Sequence, residues 1–215
     1  MKKILSFLLC SVFMFSILSV NANAQEPTGQ KDIVAILQLD GKTYYLDQDE
    51  LTEFKQQNKV TNSFSELNSI DSSSSTEVTP KNAGSWWIIT NKKFGTPYLN
   101  SSKKAKVTPS VKGPATITKG SSVTFSFTSN ISLSISDKTT IGGTWSASSN
   151  ASFSVSFKVP SNKTGYVQFT PYYRTVTADK LHYFDATLLK TEKLNIKQPV
   201  KVGSFADGLY ELKLQ

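Results

Sequence analysis

From Ser122 to Val159 the chain alternates polar and apolar residues almost without a slip. Val123, Phe125, Phe127, Ile131, Leu133 and Ile135 take one parity, and Thr124, Ser126, Thr128, Asn130, Ser132 and Ser134 take the other. After a break at 137–144 the pattern resumes: Trp145, Ala147, Ala151, Phe153, Val155, Phe157 and Val159 stand against Ser146, Ser148, Ser152, Ser154 and Ser156. Side chains on extended backbone point to opposite faces with period two. The pattern therefore predicts two half-buried strands with a Ser/Thr-coated outer face.

The rest of the chain is punctuated in the same style. Ile33–Leu39 is a strand candidate, Asp40-Gly41 a hairpin turn and Lys42–Leu46 the returning strand. Asp47 with Glu50 three residues on offers a capped helix through Asn58, with Leu51 and Phe54 on its apolar side. This small acidic ββα unit, residues 25–60, cannot hold a core alone. It must dock on the rest or serve as a removable pro-segment. Residues 61–84, rich in Ser, Thr and Asn, read as a linker.

Residues 85–215 read as one domain. Trp86–Ile89 opens it, short segments follow at Val107–Val111 and Ala115–Thr118, and Pro160–Gly165 turns the chain into Tyr166–Tyr173. Further strands are expected at Arg174–Ala178, Lys180–Leu189, Lys193–Ile196 and Gly208–Leu214. Many short strands with almost no helical period predict an all-β fold, an antiparallel β-sandwich or open barrel, carrying the ββα appendage.

Lys2 and Lys3, the apolar run Ile4–Val20 and Ala22-Asn23-Ala24 form a secretory signal over residues 1–24, cleaved near Ala24. Cys10 is the only cysteine and would leave with it, so a secreted, disulfide-free chain of a Gram-positive bacterium is expected. Charge is unevenly spread. Residues 25–80 hold 4 Lys and 10 Asp/Glu, whereas residues 81–215 hold 18 Lys/Arg and 6 Asp/Glu. A basic secreted domain is drawn to anionic polymers such as wall teichoic acid, phospholipid headgroups or extracellular nucleic acid, and a cell-wall polymer, glycan or membrane surface is the expected partner. Scattered Lys is also what an ordinary solvated surface carries. Nucleic acid is not an expected partner, and oligomeric state is not readable.

The search for chemistry is mostly negative. His182 is the only histidine, which leaves no histidine-based zinc site. Asp179 and Asp185 flank it, but no nucleophile motif frames any serine, and Gly142-Gly143-Thr144 is no elbow. Asp47–Glu53 lacks the spacing and central glycine of a calcium loop. No catalytic residue, cofactor or metal ligand is assigned, and a non-enzymatic protein is expected. Aromatic residues offer the other candidate site: Trp86, Trp87, Tyr98, Tyr172, Tyr173 and Tyr183 as a stacking surface for a ligand, with the adjacent pairs Trp86-Trp87 and Tyr172-Tyr173 as its leading members. Adjacent pairs on a strand must point to opposite faces, so one of each pair is directed outward.

Two resemblances follow from residue character. The Ser/Thr-lined alternation of 122–159, with Ile141 and Trp145 near its tip, resembles the insertion hairpins of aerolysin-like pore-forming toxins. That resemblance implies a membrane hairpin and a protoxin whose acidic N-terminal segment is detachable. Residues 105–185 are similar to small secreted β-sandwich proteins of Gram-positive bacteria, on the Ser/Thr-rich region and on Val159-Pro160 through Lys163-Thr164-Gly165-Tyr166-Val167 to Pro171-Tyr172-Tyr173. The second resemblance implies secretion and a sandwich, and assigns no site. Binding at the cell envelope is the expected function, with pore formation as the alternative.

Overall fold

The computed structural model describes residues 32–64, 84–142 and 145–215, which belong to one unit. The signal over 1–24 and most of the 61–84 linker lie outside the described residues. The first elements are β1 (Ala35–Leu39), β2 (Lys42–Leu46), α1 (Gln48–Phe64) and β3 (Ser85–Phe94). Short strands follow: β4 (Tyr98–Leu99), β5 (Ala105–Lys106), β6 (Val111–Lys112), β7 (Ala115–Lys119), β8 (Thr124–Ser126) and β9 (Thr128–Ser129). Then come α2 (Ile135–Ile141), β10 (Ser146–Ser148), β11 (Ser152–Val159), β12 (Thr164–Phe184) and β13 (Thr187–Pro199). The chain closes with β14 (Lys201–Val202), β15 (Phe205–Ala206) and β16 (Gly208–Leu214). Among the described residues the fold is all-β, with several mainly antiparallel sheets, no closed barrel and a small helical appendage.

One strand organises the molecule. β12 is 21 residues long and pairs along one edge with β16 and then β13. Its other edge carries β6, β5, β4 and β3 in succession. The sequence pattern divides this stretch into separate segments at Tyr166–Tyr173, Arg174–Ala178 and Lys180–Leu189. The structure joins all three into one strand as far as Phe184 and breaks the third at a turn, Asp185–Ala186. Asp185 takes φ 46°, and its carboxylate accepts the Gly84 N–H at 2.8 Å, closing the hairpin end against the start of β3. The difference has a physical cause. Buried positions switch parity around Pro171, Tyr172 and Tyr173, which are all buried, so no single period spans the strand.

Three clusters fill the interior. Val167, Phe169 and Tyr173 pack with Ile117, Phe125, Phe157 and Tyr210 in the first. Tyr172 and Leu209 pack with Ala35, Leu37, Leu46 and Leu51 in the second. The third holds Ile89, Val176, Ala178, Leu194 and Ile196 under Ile141, with Phe127, Ile131, Leu133 and Trp145 around it. The N-terminal unit is part of this architecture, because β1 is hydrogen-bonded between β2 and β16 in the long sheet. Its helix runs to Phe64, beyond the expected Asn58 and into the expected linker.

The alternating region departs most from expectation. Its arms pair over a short stretch: Ser126, Phe125 and Thr124 of β8 face Ser146, Ala147 and Ser148 of β10, whereas β11 pairs with β7, which precedes the alternating region. Phe127 N–H donates to Trp145 O at 3.0 Å in the same register. Beyond that point the arms separate. β9 pairs with β13, and Ile135, expected on the apolar face, starts a helix and is 83% exposed. Local capping overrides the period-two pattern here. Ser134 and Asp137 form a reciprocal capping box, and Gly142 ends α2 at φ 67°.

Candidate functional site

The sheet formed by β3, β12 and β13 extends past its packed part to an end rich in exposed apolar side chains. Cross-strand partners share a face. On one face Tyr183 lies opposite Trp86 and Leu188, and Leu181 lies opposite Ile88 and Thr191. On the other, His182 lies opposite Trp87 and Lys190, and Phe184 opposite Ser85 and Thr187. Trp87 is 40% exposed, Phe184 51%, Leu188 49% and Leu189 57%. Leu189 is the extra residue of a bulge between the His182 and Tyr183 rungs, which directs one more leucine outward.

The rings at this end are held flat. Trp86 stacks on Tyr183 with centroids 4.5 Å apart and planes 11° off parallel, and Trp87 stacks on His182 at 4.3 Å and 9°. Lys180 Nζ sits 4.8 Å from the Trp87 ring centroid, adding a cation–π contact. The Trp86 indole N–H is shielded from water and has no hydrogen-bond partner among the described residues. Ser85 Oγ is 2.6 Å from His182 Nε2. That spacing would suit a nucleophile and its base, but no described side chain is bonded to Nδ1 to orient the imidazole. What the contact does here is fix the ring against Trp87.

A shallow groove of ≈ 560 Å³ runs beside the apolar end, lined by Asn91, Lys93, Asn130, Asp179, Lys193 and Asn195 among others. Its polar groups are bonded to one another. Asp179 accepts from Lys193 at 2.6 Å and Asn91 at 2.8 Å, and these bonds hold its carboxyl below the usual aspartate range. Asn130 donates to the Lys193 carbonyl and accepts from the Asn195 N–H. Among the described residues no group of three or more His, Cys, Asp or Glu could hold a metal ion.

The candidate residues read from the sequence divide. Trp86 and Trp87 are together at the sheet end, one half-buried and one exposed, on opposite faces. Tyr172 and Tyr173 are not available for stacking: they are 5% and 1% exposed, inside two different clusters. Both faces of β12 are covered at that point, so adjacency does not push either ring outward. Ile141 and Trp145, expected at an exposed hairpin tip, are also elsewhere. Ile141 is 2% exposed under α2, and Trp145 packs edge-on to Phe127 at 4.7 Å. The residues missed were His182, Phe184, Leu188 and Leu189. Their signal was a loss of alternation: Trp86–Ile89 and Leu181–Phe184 carry bulky or apolar residues on both parities.

No protein-family model, curated protein or solved structure matches this chain.

Proposed function

We propose that this chain is a secreted, non-enzymatic β protein that works by adhering to a surface at the cell envelope, and that the aromatic end of the β3–β12–β13 sheet is the contact. One observation carries the reading: Trp87, Phe184, Leu188 and Leu189 are all exposed at a single end of the sheet. Isolated exposed apolar residues are ordinary, but a contiguous cluster marks an interaction site. The basic excess after residue 80 supports an anionic target. The test is cosedimentation of the mature chain with purified wall, wall polymer, neutral glycan and lipid vesicles, beside an F184S/L189S variant. Adhesion weakened by the substitutions supports the reading. No retention on any surface removes it.

A second reading, pore formation by residues 122–159, is favoured by the register of the arms. Phe125–Ala147 and Phe127–Trp145 are rungs of a hairpin whose continuation would set Ile131 opposite Ile141 and Leu133 opposite Thr139. The extended form would be Ser/Thr-lined on one face and mainly apolar on the other, interrupted by Ser129, Asp137, Thr139 and Ser149, close to what a membrane-crossing hairpin requires. Its arms exceed the 9–11 residues that a spanning strand needs. Dye release from vesicles is the measurement. An absence of leakage under any condition that binds the chain to those vesicles counts against this reading.

A further inference from the structure

We infer that the exposed sheet end is a wedge that enters the interface of an anionic lipid bilayer. The inference rests on the reading of that end as the contact surface, and it names the partner.

Three features select a bilayer over a saccharide. The first is the distribution of apolar groups. A sugar-stacking platform presents rings on one side, whereas here Trp86, Tyr183 and Leu188 occupy one face, Trp87 and Phe184 the other, and Leu189 the bulge between. The end carries apolar side chains on both sides, and the Asp185 carboxylate at its turn is bonded to the Gly84 N–H, so the end suits shallow immersion. The span from Leu181 to Phe184 covers about 10 Å at strand rise, which matches the 5–10 Å depth of interfacial elements.

The second feature is the polar groove alongside. Sugar recognition needs side-chain donors and acceptors directed at the ligand. The Asp179 carboxylate and the Asn130 side chain are already bonded within the protein. The third is residue type and charge. Trp and Tyr concentrate where hydrocarbon meets headgroups. Lys190 lies opposite His182 within the apolar tip, Lys193 follows behind it on β13, and Lys180 is buried on β12. Lys180 pairs with Asp137, Lys190 with Glu192 and Lys193 with Asp179, so the attraction comes from the wider excess, 18 Lys/Arg against 6 Asp/Glu after residue 80. Anionic headgroups complement that charge, and salt should weaken the attraction without abolishing the apolar contact.

The experiment uses the full mature chain with phosphatidylcholine vesicles, with vesicles carrying phosphatidylglycerol, and with purified wall glycan. Binding is read by cosedimentation, and depth by quenching of tryptophan fluorescence with acyl-brominated lipid. A W145F variant leaves only the two tryptophans of the sheet end as reporters. The expected result is binding to the anionic vesicles and quenching in W145F. F184S/L189S, which alters only exposed side chains, should weaken partition roughly tenfold or more, with an unchanged circular dichroism spectrum. Glycan binding through the same residues with no vesicle binding overturns the wedge and leaves surface adhesion standing. Vesicle binding unaffected by F184S/L189S and without quenching overturns both.

Discussion

Lys180 Nζ lies 2.6 Å from Asp137 Oδ2, and both side chains are almost entirely out of water. This pair ties α2 to the central strand at the Ile89 rung, on the face that carries Trp87. Burial works to raise the Asp137 carboxyl, but hydrogen bonds from Lys180 and from the Ser134 backbone and hydroxyl outweigh it, so its pKa falls below the usual aspartate value. Removing one partner strands a buried charge, which costs about 3–5 kcal/mol. D137N should therefore lower stability by about 3 kcal/mol in urea unfolding. D137N/K180M should recover much of that loss, because the double change removes both charges. For a carboxyl lowered in the folded state, the stabilisation is present above its unfolded pKa and disappears as pH falls through the folded one. The gap between wild type and D137N should narrow only at that acidic end. A constant gap down to full acid unfolding would refute the assignment.

A covalent lock tests whether the folded-back tip is a stored hairpin. Thr128 and Lys197 are directly opposed where β9 joins β13. Antiparallel partners lie within the Cα separation a disulfide accepts. T128C/K197C should cross-link under oxidation and hold β9 on the sheet. If pore formation needs the tip to extend, the oxidised variant should bind vesicles as wild type does and release no dye, and reduction should restore release. Equal leakage in both redox states would show that the tip need not move.

The class of fold was legible because it rests on period two and on turn residues, which are local. Asp40-Gly41 and the Asp47–Glu50 cap stand as expected, since each is fixed by its own backbone and side-chain bonds. The tip of the alternating region was not legible. The polar parity there includes Ser134, which caps a helix once Asp137 is drawn to Lys180, 43 residues away. The site was half legible. The two tryptophans announced themselves, but their partners His182 and Tyr183 are fixed by register between β3 and β12. The same long-range packing buries Tyr172 and Tyr173. Local rules carry no information about which strand faces which.

Four tyrosines sit where ionisation is opposed. Burial raises Tyr172, Tyr210, Tyr173 and Tyr98, with the largest displacement at Tyr172 and Tyr210. A group raised in the folded state contributes stability that is complete below its unfolded pKa and declines as pH climbs toward the folded one. Stability should fall steadily above about pH 10. The share of tyrosinate absorbance that these four of the eight tyrosines contribute should appear together with loss of near-ultraviolet dichroism, not before it. Tyr210 Oη also accepts the Asn150 N–H at 2.6 Å. Y210F should cost about 1–3 kcal/mol at neutral pH by leaving that donor unpaired, while reducing the alkaline slope. Titration of all eight tyrosines in a still-folded chain would contradict the buried placement.

The resemblance to a protoxin implied a detachable N-terminal segment, and the packing leads to the opposite expectation. Ile36 and Leu37 of β1, Leu46 of β2 and Leu51 of α1 are buried against the body. The Asp40 N–H donates to Asp207 at 3.1 Å, and Lys55 reaches Glu211 at 2.5 Å on the partner strand. Burying four such side chains is worth about 6–12 kcal/mol at ordinary transfer energies, comparable with the roughly 5–15 kcal/mol that holds a whole domain together. Deleting residues 25–60 also leaves β16 with an open edge where β1 was paired. A chain beginning at residue 61 should therefore lose near-ultraviolet dichroism and cooperative unfolding, and bind a hydrophobic dye. Cleavage of the intact protein after residue 60 should leave the fragment associated until denaturant is added. A truncated chain that keeps a sharp urea transition at an unchanged midpoint would show that the segment is removable after all.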